Sequence, residues 1–145
     1  MKSLLALTTL LMTVPLLSAA DAKVTYVGHD KVAVALAKSG QPTLVTAPDL
    51  LVSGSHRDKA GQVEVHEKET DVIYVVEGEA TFVTGGTMVG GKSTKAGQFL
   101  GTDIKGGETH HLAKGDVIVV PAGIPHWFKE VPGTVSYYVV KVLKP

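Results

Sequence analysis

Apolar and polar positions alternate in short runs along most of this chain, and few stretches carry a helical period. "QVEVH" places Val63 and Val65 on one strand face and Glu64 and His66 on the other. "DVIYVVEGEATFVTGG" reads as a strand, a Glu-Gly turn and a returning strand. Further on, "HHLAKGDVIVVPAGIPHWFKEV" predicts a strand, a Lys-Gly-Asp turn and a buried strand over Val117 to Val120. A Pro-x-Gly turn and a strand from His126 follow, and "TVSYYVVKVL" closes the chain as a last strand. Upstream, strand character is expected around Val24 to Val27, and Lys31 to Lys38 reads as either alternating or a short helix. "PTLVTAPDLLVSGSHR" gives one or two strands broken at Ala47-Pro48-Asp49, with turn-like residues at Ser39 to Pro42 and Asp58 to Gly61. Many Val-rich runs punctuated by Gly and Pro predict one all-β domain.

Two segments stand outside this pattern. The first is "MKSLLALTTLLMTVPLLSAADA": a positive Lys2, an apolar run to Leu17, then small residues suited to cleavage after residue 20 or 22. It predicts a secretory signal peptide over residues 1–20, leaving a domain over 23–145 that is exported to a bacterial periplasm or medium. The second is Thr84 to Thr109, whose eight glycines suggest a flexible hairpin or loop with a possible short strand at Gln98 to Leu100. Folded over a pocket, it would be the natural lid.

The 145 residues carry 14 basic and 14 acidic side chains, so no charge excess argues for nucleic acid or an anionic membrane surface as partner. No second hydrophobic span follows the signal segment, and no membrane contact is expected after cleavage. The absence of cysteine rules out disulfides and restricts any metal site to nitrogen and oxygen donors.

Chemistry concentrates in the two best-patterned blocks. In the second, Gly115, Pro121, Gly123 and His126 match G-x(5)-P-x-G-x(2)-H-x(3)-N, with Glu130 in place of Asn. In the first, His66, Asp71 and Gly78 fall in register with G-x(5)-H-x-H-x(3,4)-E-x(6)-G, with Glu64 replacing the first histidine and Asp71 the glutamate. The pair of blocks resembles the signature of the cupin superfamily, and the likeness covers roughly residues 61–130. The resemblance implies an all-β jelly-roll barrel or sandwich with a metal or ligand at its centre. It also implies a tendency to form homodimers through the outer face of a sheet.

On that resemblance Glu64, His66, Asp71 and His126 are the candidate ligands of one divalent ion: Fe, Mn or Zn. An inward Glu64 without a cation would be a costly buried carboxylate. Asp71 is one methylene shorter than the usual glutamate. It is read either as a fourth ligand, as a residue orienting His66, as a base or as a plain strand-start residue. Alternation allows Glu64 and His66 to share a face, with Asp71 brought opposite them, about 5 Å away, on a neighbouring antiparallel strand. His56, Arg57 and Phe128 are candidate pocket residues, while Trp127, Tyr74 and Phe82 read as core or pocket wall. Of the adjacent His110 and His111 at most one faces inward, and His29 reads as a surface or turn residue. The leading function is a metal-dependent enzyme on a small oxygen-bearing metabolite, dioxygenase-like or a lyase or isomerase, with Glu64 and Asp71 as candidate catalytic carboxylates. The alternatives are a non-catalytic metal- or small-ligand-binding protein and a metal-free ionic network around the same residues.

Overall fold

The computed structural model describes residues 23–144, so the expected signal peptide lies outside the described residues. One helix, α1 (His29–Ala37), is followed by twelve strands. These are β1 (Thr43–Thr46), β2 (Leu50–Arg57), β3 (Val63–His66), β4 (Glu69–Thr84), β5 (Thr87–Val89) and β6 (Lys92–Lys95) in the first half. β7 (Gln98–Gly101), β8 (Asp103–Lys105), β9 (Glu108–Ala113), β10 (Val117–Val120), β11 (His126–Glu130) and β12 (Val135–Leu143) complete it. The short helix resolves the ambiguity at Lys31 to Lys38. Asp30 lies in its first turn, where a carboxylate favours the positive end of the helix dipole. His29 begins the helix and is exposed.

The sheet order is β1-β2-β12-β4-β11-β3-β7-β6, all antiparallel, with β9 and β10 also paired to β4. β4 is the spine. Its first half lies between β10 and β12, and its second half between β9 and β11. The Glu-Gly pair expected to be a hairpin turn is therefore a bend inside one sixteen-residue strand. Gly78 has φ +79°, and the β4–β12 register slips between Ser136 and Tyr137, so the bend carries β4 from one sheet layer to the other.

Period-two alternation fills the space between the layers. Ile73 and Val75 on β4 pair with Val139 and Tyr137 on β12, and all four are buried. Phe82, Phe128 and Tyr137 stack through this core, with Phe82–Phe128 and Phe128–Tyr137 centroids 4.6 and 4.8 Å apart. The next inward pair along the same row is Asp71 opposite Lys141. The core row thus ends in a charged pair, and the site begins there.

Several expectations change. Val24 to Val27 is not a strand: it finds no partner, and Val24 and Tyr26 are exposed. β10 is buried on one side only, because Val117 and Val119 point outward, as does Tyr74, the β4 residue opposite Val117. Tyr74 is thus neither core nor pocket wall, whereas Phe82 is fully buried. Residues 84–109 hold the expected short strand, observed as β7, within a larger set of paired strands. β5 pairs with β8, β6 pairs with β7, and β7 also pairs with β3, and Gly86, Gly90 and Gly97, all at positive φ, sit at the turns between them.

Candidate metal centre

β3 places Glu64 and His66 two residues apart, and its pairing with β11 sets His126 directly opposite Glu64. The Pro-x-Gly turn reaches the site by a different route. Gly123, at φ +86°, donates its N–H to the His66 carbonyl at 2.7 Å, tying the second block to the first. Asp71 does not come from a strand neighbouring β3. It lies on the first half of β4 between Val120 of β10 and Lys141 of β12, and it faces the histidines across the layers because β3 and β11 belong to the opposite layer.

The four groups converge. His66 Nε2 lies 3.3 Å from Glu64 Oε2 and 3.6 Å from Asp71 Oδ2, and His126 Nε2 lies 3.7 Å from the same Asp71 oxygen. The two imidazole centroids are 5.1 Å apart. Ligand atoms of Glu64, His66 and His126 all fall within 4.8 Å of one another.

The hydrogen bonds behind the rings fix which nitrogen faces inward. Gln98, paired with His66 across β3 and β7, donates Nε2–H to Glu69 Oε1 at 2.9 Å. A carboxylate only accepts, so the Gln98 amide oxygen must face His66 and accept from Nδ1–H. Likewise His126 Nδ1 donates to the Ile124 carbonyl at 3.1 Å. Each neutral ring then presents the lone pair of Nε2 to the centre. His66 Nε2 is buried with no hydrogen-bond partner among the described residues. A buried, unpartnered nitrogen aimed at a second imidazole and a carboxylate fits a divalent metal, and neutral imidazole with its outer N–H engaged is the form that ligates.

A cation already stands on the far side of Asp71. Lys141 Nζ is 2.9 and 3.0 Å from the two Asp71 oxygens and 3.0 Å from Glu69 Oε2. A continuous chain therefore runs Lys141–Glu69–Gln98–His66. The alternative acidic group of His66, Glu69 and Asp71 is served by this ammonium.

Burial is the largest influence on the ionisable groups here. It pushes His126 down from the ordinary histidine value, against the opposing pull of the Ile124 carbonyl and nearby carboxylates. At Glu64 burial acts to raise the carboxyl, but the His66 ring 3.3 Å away and the charges of His126, His66 and Arg57 outweigh it and the net shift is down. At His66 burial and Lys141 oppose protonation, yet Glu64, Asp71 and Gln98 together hold the ring above its usual value.

Arg57 donates Nε–H to the Tyr137 hydroxyl at 2.9 Å and lies 4.9 Å above the Phe128 ring. His56 bonds Ser136 Oγ at 2.8 Å and shares with Arg57 the lining of a cavity of about 180 Å³. Trp127 anchors the wall through Nε1–H to the Gly61 carbonyl at 2.8 Å. His110 bonds Thr84 and His111 faces Glu79, and neither joins the centre. The 84–109 segment contributes Gln98 to the site, while the cavities beside the centre are lined by other segments.

Residues 50–144 match the family model for cupins. The chain belongs to the cupin family. Among curated proteins no relative matches. Solved structures similar to this cupin include BH2720 from Bacillus halodurans, at 14% identity, 86% of each chain covered and a TM-score of 0.59. A protein with a double-stranded β-helix domain from Klebsiella pneumoniae is 16% identical over 85% of this chain and 91% of its own, with a TM-score of 0.55. The TT1209 protein of Thermus thermophilus is 22% identical over 74% and 86%, with a TM-score of 0.51. At these identities the likeness is one of fold. Against the family signature, this cupin brings Glu64, His66 and His126 together, sets Asp71 against the two histidines from the opposite layer, and adds Lys141, Glu69 and Gln98, which no sequence motif marks.

Proposed function

We propose that this cupin binds one divalent ion through Glu64, His66 and His126 and uses it to act on a small oxygen-bearing metabolite. The observation that carries this reading is the buried, unpartnered His66 Nε2, turned by Gln98 toward Glu64 and His126. Two imidazoles and one carboxylate leave coordination positions open, and a bound Fe, Mn or Zn ion would supply Lewis acidity to an oxygen ligand there. Asp71 is then a partner of Lys141 rather than a fourth ligand. Its Oδ2, close to both Nε2 atoms, is placed to accept a proton from a metabolite held at the centre. The reaction class within dioxygenase, lyase or isomerase chemistry follows from the substrate, and a purely binding role uses the same residues.

Metal analysis of untagged protein is expected to give about one divalent ion per chain. His126→Ala is expected to weaken zinc binding, followed by calorimetry, by more than the roughly 100-fold upper end of losses from outer partners. Unchanged zinc affinity in that variant sinks the proposed centre.

We further propose that residues 1–20 direct export and that the folded domain pairs with a second copy. Lys2, the apolar run and the small residues at 18–22 support the first. For the second, Tyr74 on β4, Val117 and Val119 on β10 and Val142 on β12 are 44–59% exposed on the outside of adjacent strands, an apolar face suited to self-association. Native mass spectrometry of protein recovered from a periplasm reads both. The expected species is a dimer of chains starting at Asp21 or Lys23, and a monomer or an intact Met1 refutes the corresponding half.

A further inference from the structure

Arg57 is held in place yet leaves most of its donors unused. Stacking on Phe128 and the bond from Nε to Tyr137 fix the guanidinium plane, and a Cβ at position 61 would sit 2.7 Å from its Nη1, so Gly61 leaves room for that terminal group. Nη2 reaches Glu64 Oε1 only at 3.6 Å, too long for a good hydrogen bond. Arg57, Tyr137 and Gln41 form the wall shared by a cavity of about 30 Å³ at the centre and the outer one of about 180 Å³, which His56, Asp58 and Lys59 also line. The outer space equals about six water volumes, enough for a small organic acid.

The local charge points the same way. Three carboxylates, Glu64, Glu69 and Asp71, face two fixed cations, Arg57 and Lys141. With neutral histidines the set is one negative charge in excess, and a divalent ion turns that into one positive charge in excess. A singly charged anion restores neutrality, whereas a neutral diol or sugar does not.

We propose that the metabolite is a small carboxylic acid whose carboxylate is gripped by Arg57 while its other oxygen reaches the ion beside Glu64. The ion in this arrangement rests on the metal reading above. The planar fork of Arg57 donates to both carboxylate oxygens at once, a two-point geometry that a lysine at that place would not supply. The outer cavity, lined by Lys59, His56 and Asp58 besides Arg57, is the route by which the acid enters from solvent.

The test uses the full exported domain loaded with Co(II), whose visible absorption reports ligand entry. Pyruvate is the probe and hydroxyacetone its neutral counterpart of like size. Pyruvate is expected to bind at least ~10-fold more tightly than hydroxyacetone. Arg57→Met is expected to erase that preference, and Arg57→Lys, which keeps the charge, to retain only part of it. Equal binding of the two probes by the native protein, or an unchanged preference in Arg57→Met, overturns the proposal. Failure to take up Co(II) is the failure of the metal reading instead. Pyruvate binding is then followed by the fluorescence of Trp127, the single tryptophan, in the wall of the inner cavity. Loss of that signal in Arg57→Met sustains the carboxylate site, and no pyruvate response removes it.

Discussion

Lys141→Met is expected to destabilise the metal-free protein by about 3–5 kcal/mol, the usual cost of removing one partner from a buried ion pair. Methionine keeps most of the volume and removes the charge. Asp71, 4% exposed, is then left without the ammonium that bonds both its oxygens, and Glu69 loses the contact that holds it toward Gln98. Urea unfolding in a chelator measures the loss. The same variant decides the role of Asp71. Freed from the ammonium, its carboxylate turns to the ion as an additional ligand, and a repelling positive charge has gone. Zinc is therefore expected to bind the variant more tightly than the native protein and to recover much of its stability. A destabilisation under about 1 kcal/mol, or zinc binding weakened by the change, would show that Lys141 does not hold Asp71 away from the metal.

The sequence showed the fold through its punctuation. Gly115, Pro121 and Gly123 sit where turns require them, and the alternation of β3 and β12 is plain in "QVEVH" and "TVSYYVVKVL". Lys141 stayed hidden because both faces of β12 are apolar. Val135, Tyr137 and Val139 form one row, Tyr138, Val140 and Val142 the other, and nothing local says which row points inward. Only the register with β4 places Lys141 on the Asp71 side. Gln98 was hidden differently. Its strand is four residues long inside a glycine-rich segment, and its partner β3 lies more than thirty residues away, so no periodicity connects it to His66.

The convergence of Glu64, His66 and His126 was legible as a motif, but the position of Asp71 was not. A spacing of five residues from His66 suggested an adjacent antiparallel strand. Instead Asp71 lies on the half of β4 that joins β10 and β12 in the opposite layer, and it faces the site across the core. The difference is chemical as well as geometric. Across the core, Asp71 meets the ammonium of β12 before it meets an ion, so a ligand position in the family signature becomes one end of an internal ion pair.

Gly78→Ala is expected to cost about 2–5 kcal/mol, because two penalties add. The left-handed backbone at φ +79° disfavours any Cβ by about 1–2 kcal/mol. The new atom would also stand 1.9 Å from the Thr134 carbonyl oxygen, a contact that only backbone movement can relieve, at about 1–3 kcal/mol for a forced shift in a packed region. That movement displaces Val135, which is fully buried, and so the start of β12. Since Tyr137 follows two residues later and anchors Arg57, the variant is also expected to loosen the proposed carboxylate grip. Gly115→Ala is the control. Its φ is +93°, but no atom lies within 4 Å of the added Cβ, so it carries the conformational penalty alone. Urea unfolding of the two variants isolates the collision. If Gly78→Ala loses no more stability than Gly115→Ala, the close approach of β12 to the bend in β4 does not constrain the fold.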